Sequence, residues 1–125
     1  MSLQLTTHEK DGVMIVDASG RLALGESTSL LRNKLRELSD GGSKMILLNM
    51  AGVTYIDSSG LGELVAAYTT VTAAGGQMKL LNLAKRVHDL LQITKLYTVF
   101  ETFEDEALAI ASFMLEQPTG LPVQS

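Results

Sequence analysis

Asp57, Ser58 and Ser59 stand directly ahead of Gly60, Leu61 and Gly62, and this run holds the side chains of the chain best suited to chemistry. A carboxylate beside two hydroxyls and two glycines admits three kinds of site. Nucleophilic catalysis would need Ser58 as nucleophile, His88 as base and Asp57 as the acid that orients it. Neighbouring residues cannot readily flank an intervening imidazole, and the sequence carries no G-x-S-x-G elbow. Nucleotide binding fares no better. Gly60-x-Gly62 runs on to Val65 where a dinucleotide fingerprint requires a third glycine, and a G-x-x-x-x-G-K-[ST] loop is missing. The third possibility is a helix start that presents a hydroxyl. Asp57 or Ser58 can cap the free N–H groups of the helix, and Gly60 and Gly62 keep bulk away from that end. The remaining hydroxyl would be exposed. A phosphate added to it would sit at the positive end of a helix dipole, which tolerates the charge locally, whereas a partner docked there would not. An ordinary helix cap with no further role is the plainer account of the same three residues. Metal chemistry is not expected, because Cys is absent and His8 and His88 each stand alone in a charged neighbourhood, with no ligand spacing to another His. No cofactor is expected either.

The elements that position this run follow from the surrounding pattern. Residues 3–9 and 13–18 read as a hairpin through Asp11-Gly12, a dipeptide suited to positive φ. Gly20 offers a second reversal, with residues 21–24 as a short further strand. Gly25-Glu26-Ser27-Thr28 leads into a helix with Leu31, Leu35 and Leu38 on one face, ended by Gly41-Gly42. Residues 44–49 (KMILLN) form an apolar run of strand length, as expected for a central strand covered on both faces. A loop over 50–57 then delivers the Asp57-Ser58-Ser59 run to the start of the next helix, where loops of α/β folds place their sites. That helix buries Leu61, Leu64, Val65, Tyr68 and Val71, at helical spacing. Its other face is unusually small, with Gly62, Ala66, Ala67, Thr70 and Ala73 and the single charge of Glu63, so it either packs on a neighbouring helix or docks a partner. Gly75-Gly76 ends it, and residues 77–81 are the next strand. A third helix is predicted from an Asn82 cap to Thr94, with Leu83, Val87, Leu90 and Leu91 inward. Residues 100–103 make a weak strand or turn, and 104–116 a last helix with Leu108, Ala111, Phe113 and Leu115 less regularly placed. Residues 117–125, with two Pro and one Gly, read as a flexible tail after a domain spanning 1–116. The fold class is α/β, with helical crossovers between sheet strands.

Composition agrees with one folding unit and narrows the function. A chain of 125 residues, 46% of them hydrophobic, can bury a core of its own but not two. Its net charge of −4 leaves no basic footprint for nucleic acid, so direct DNA or RNA binding is not expected. No run reaches the length of a membrane span, residues 1–12 carry no leader pattern, and the scattered Met residues read as gap-fillers. A cytoplasmic location without membrane association is the simplest expectation.

The segment Asp57-Ser58-Ser59-Gly60-Leu61-Gly62, following KMILLNMAGVTYI, resembles the signature of the bacterial STAS-domain anti-sigma factor antagonists. The likeness runs over roughly residues 13–113 and includes GRL at 20–22, GGQMKLLNL at 75–83 and the stretch 87–100. It implies a STAS fold, a mixed sheet of four to five strands with about four helices. It also implies a partner switch, in which Ser58 is the phosphorylated residue and Ser59 its normally unmodified neighbour. The unphosphorylated protein would bind an anti-sigma factor of the GHKL serine-kinase type and free the sigma factor. The kinase would then phosphorylate Ser58, and a PP2C-type phosphatase would restore the hydroxyl. Asp57, Ser58, Ser59, Gly60, Gly62, Glu63, Ala66, Ala67 and Thr70 would form the docking surface, and the chain itself would not be an enzyme. In one respect the sequence departs from the pattern. Ala23 stands where many members carry an acidic residue, the nearest carboxylate being Glu26. STAS modules also serve as scaffolds or as accessory subunits of lipid or anion transport systems, which is the alternative role.

Overall fold

The computed structural model describes residues 3–115, the side chains of 26–28 excepted, so the expected tail at 117–125 lies outside the described residues. Strands β1 (Gln4–Lys10) and β2 (Val13–Leu22) form the hairpin that the sequence announces. Asp11 and Gly12 between them both adopt positive φ, 54° and 83°, which gives the connection a twist matching that of the strands. Helix α1 (Glu26–Asp40), strand β3 (Met45–Ile56), helix α2 (Ser58–Ala73), strand β4 (Gln77–Leu81) and helix α3 (Lys85–Thr94) follow in alternation. A 3-10 turn (Leu96–Thr98), the short strand β5 (Thr102–Phe103) and helix α4 (Glu106–Leu115) complete the order. The five strands lie in the order β1-β2-β3-β4-β5, antiparallel between β1 and β2 and parallel thereafter.

The KMILLN run behaves as a buried central strand must. Ile46 and Leu48 project to one face, where they join Val16, Leu80, Leu31, Leu35, Leu64, Val71, Val87 and Leu91 beneath α1, α2 and α3. Leu47 projects to the other, with Val13, Ile15 and Leu81, and there α4 covers it with Ala109, Ile110 and Phe113. Strand alternation alone sends neighbours to opposite sides, so an unbroken apolar run requires helices on both. A buried charge helps attach α4. The Lys79 ammonium reaches Glu101 at 3.1 Å and Ser112 Oγ at 2.8 Å, and it lies over the Phe113 ring at 4.8 Å. Leaving such a cation unpaired would cost far more than the pair itself contributes.

Three expectations fail. Gly20 does not reverse the chain, and no separate strand follows it at 21–24, since Arg21 and Leu22 continue β2. Gly20 takes a φ of 103° inside β2, where register shifts between Asp17 and Ser19 and between Gly20 and Arg21 bend the strand without ending it. The loop expected over 50–57 is largely strand, because the continuing β2 supplies a partner: Gly52, Val53, Tyr55 and Ile56 pair with Ser19, Gly20, Arg21 and Leu22. Asn82 is not a helix cap. It has a φ of 59°, its side chain donates to Asn49 Oδ1 at 3.2 Å, and α3 begins only at Lys85.

Candidate functional site

The long β3 ends at Ile56, and the chain turns at once into α2, so Asp57 is left at the helix N-cap with extended φ and ψ of −116° and −174°. This settles which residue caps. Asp57 Oδ1 accepts the Gly60 N–H at 2.8 Å, and Oδ2 accepts the Leu24 N–H, from the loop between β2 and α1, at 3.1 Å. One carboxylate thus closes the first turn of α2 and ties it to the end of β2. Those backbone donors, Gly60 first and Leu24 second, hold the Asp57 carboxyl below its ordinary pKa of 3.8, because they stabilise the ionised form. Gly60 is buried for a steric reason. A Cβ there would lie 2.1 Å from the Leu22 carbonyl oxygen and 3.0 Å from Ile56 Cγ1, so no larger residue fits between α2 and β2. Between these two inward residues, Ser58 is exposed and Ser59 half-buried. Among the described residues no hydrogen bond holds the Ser58 hydroxyl.

Further along α2, Glu63 turns toward α1 and receives both Arg32 Nε, at 3.1 Å, and a terminal Arg32 nitrogen. The Glu63 side chain is only 12% exposed, and its hydrogen bonds followed by its charge raise the Arg32 guanidinium above its ordinary pKa. Gly62 and Ala66 face solvent, Thr70 is half-buried, and around Gly62 an added Cβ would meet nothing within 4 Å.

The family model of the STAS domain matches residues 4–109 of this chain. The chain belongs to the STAS-domain family. Among relatives, it is 28% identical to the anti-sigma F factor antagonist of Paenibacillus polymyxa, covering 88% of this chain and 94% of that one. It is 30% identical to the anti-sigma-B factor antagonist of Bacillus subtilis strain 168, covering 81% and 91%. Among solved structures, the phosphorylated form of the Bacillus cell fate determinant SpoIIAA shares its fold, with a TM-score of 0.68 at 20% identity over 87% of this chain and 98% of that one. These relatives support the general role of anti-sigma factor antagonist. The five-stranded mixed sheet with four helices is the STAS fold expected from the resemblance.

Within this STAS domain the residues expected to dock a partner divide into two groups. Ser58, Gly62 and Ala66 reach the surface, and Ser59 and Thr70 do so in part. Gly60 and Ala67 require correction as contact residues, since Gly60 is wedged against Leu22 and Ala67, 2% exposed, belongs to the core under α2. The inward stripe of α2 is therefore Leu61, Leu64, Ala67 and Val71, with Val65 and Tyr68 only partly covered at its margin. Asp57 and Glu63 are also committed within the domain, to Leu24 and Gly60 and to Arg32 respectively. Two residues at the site carried no signal in the sequence. Leu24, whose N–H binds Asp57, leaves its side chain 79% exposed beside the helix start, and Arg32 comes from an unremarkable stretch of α1. Ala23 is half-buried next to Leu24, and the Glu26 side chain lies outside the described residues.

Proposed function

We propose that this protein is a cytoplasmic anti-sigma factor antagonist that docks a kinase-type anti-sigma factor through the start and exposed flank of α2, and that phosphorylation of Ser58 switches docking off. The observation that carries the proposal is the position of Ser58. It is exposed in the first turn of α2, while Asp57 and Gly60 on either side are turned into the domain. The antagonist names of its relatives and the phosphorylated form of SpoIIAA support the same reading.

The chemistry asks little of this chain. Ser58 Oγ attacks the γ-phosphorus of ATP held by the kinase, the new O–P bond forms as the bond to the ADP oxygen breaks, and the hydroxyl proton passes to a base on the kinase. The Asp57 carboxylate is occupied by two backbone N–H groups, which leaves it poorly placed to serve as that base. Phosphorylation adds nearly two negative charges and three acceptors next to Asp57, at a surface whose neighbouring contacts, Leu24, Gly62 and Ala66, are apolar or small. A partner seated there would have to desolvate the phosphate, so it dissociates. A PP2C-type phosphatase hydrolyses the ester and restores the hydroxyl.

Titration calorimetry against the cognate anti-sigma factor tests this. Ser58→Ala should bind within a few-fold of wild type, whereas Ser58→Asp should bind at least about tenfold more weakly, through charge and desolvation. Equal affinities of the two variants would sink the electrostatic switch. Phosphate found by mass spectrometry on another residue after incubation with ATP and the kinase would reassign the site.

A further inference from the structure

Helix α4 is apolar on both sides. Ala109, Ile110 and Phe113 fill the core against Val13, Ile15, Leu47 and Leu81, as any covering helix must. The side turned away from the sheet carries Ala107, Leu108, Ala111, Met114 and Leu115, with Leu108 64%, Met114 43% and Leu115 87% exposed. Ser112, the helix's hydroxyl, is turned inward to Lys79. A helix at a protein surface ordinarily sets charged residues on its outer face. Here residues 107–115 place none there.

The shape of this surface favours one occupant. Along one flank, between α4 and the turn of the β1–β2 hairpin, runs a groove of about 400 Å³ lined by Lys10, Asp11, Ala107, Ile110, Ala111 and Met114. Along the other flank, about a quarter-turn round the helix, Leu108 and Leu115 form a ridge one heptad long, with the small Ala111 between ridge and groove. A ridge and a groove side by side on one helix are self-complementary. A two-fold axis through Ala111 sets each ridge into the other chain's groove and lets the helices approach closely. The groove's rim bears Lys10 and Asp11, with Lys10 already paired to Glu106 of the same chain at 3.8 Å, so its charges are few and mixed, which suits a second copy better than a strongly charged partner. The exposed apolar area, on the order of 400 to 500 Å² per chain, would bury somewhat under about 1,000 Å² in a pair, near the lower limit of a specific interface.

We propose that the outer face of α4 is a weak homodimer interface, in which Leu108 and Leu115 of each chain enter the groove beside α4 of the other. The face lies on the opposite side of the sheet from α2, so pairing leaves the Ser58 surface open, and the proposal stands or falls independently of the partner switch.

Sedimentation velocity on the full chain between about 5 µM and about 500 µM, a range chosen for the micromolar affinity of a small interface, tests it. Wild type should shift reversibly from monomer to dimer. Leu108→Glu, with unchanged circular dichroism, should weaken pairing by about a hundredfold and stay monomeric. Ala66→Glu, on the exposed flank of α2, should pair like wild type. A wild-type chain that is monomeric throughout overturns the proposal and leaves the face to the chain's own residues 116–125 or to another protein. Pairing that survives Leu108→Glu, or that Ala66→Glu abolishes, overturns it by placing the interface elsewhere.

Discussion

The first turn of α2 and the exposed flank that follows it are neighbours in sequence yet answer to different demands. In the first turn, Asp57 is held by the N–H groups of Gly60 and Leu24, and Gly60 is pressed against the Leu22 carbonyl. Both residues are required by the fold whether or not a partner exists. On the flank, Gly62 and Ala66 are exposed, and around Gly62 an added methyl would find open space. The missing side chain at position 62 relieves no internal crowding. Glycine within an exposed helix even costs stability relative to alanine, so its presence at position 62 agrees with a surface shaped for something outside the domain. The motif thus combines a structural half with a half that faces outward, and Ser58 is the point where they meet.

Three substitutions sharpen or break this division. Gly60→Ala should have the largest effect, because its methyl would meet backbone where nothing flexible can yield. A loss of at least about 3 kcal/mol in urea unfolding, or failure to fold, is expected, and a near-neutral result would mean that α2 is not seated on β2 as described. Asp57→Asn comes next, with a pH signature. The folded-state pKa of Asp57 is depressed, so its contribution is present above the unfolded value of 3.8 and is lost as pH falls through the lower folded value. The urea midpoint of wild type should therefore exceed that of Asp57→Asn at neutral pH, and the gap should close on acidification below about pH 4. A gap independent of pH would show that shape rather than charge makes this contact. Gly62→Ala should change stability least, with a gain of roughly 0.5 to 1 kcal/mol from helix propensity. Its informative readout is binding: if the flank docks the anti-sigma factor, the added methyl should weaken that affinity even as the domain becomes more stable.

Much of the fold was legible because it is written in short-range pattern. Asp11-Gly12 specified a two-residue turn through backbone preference, KMILLN specified a strand covered on both faces, and Gly75-Gly76 ended α2. What the pattern misjudged depended on a partner distant in the chain. Gly20 reads equally well as a reversal or a bulge, and only β3 running alongside decides for the bulge. Asn82 looks like a cap until Asn49 offers it a different hydrogen bond. At the site, residue types alone identified the Asp57-Ser58-Ser59 run and the small flank of α2, because hydroxyls, carboxylates and missing side chains are properties of residues. Which of Asp57 and Ser58 caps the helix, which glycine is wedged and which is open, and whether Ala67 faces in or out were settled by tertiary structure, since each depends on what lies within a few ångströms across the chain. Leu24 and Arg32 belong to the same class: nothing in their local sequence marks them, and they reach the site only because β2 and α1 are packed beside α2.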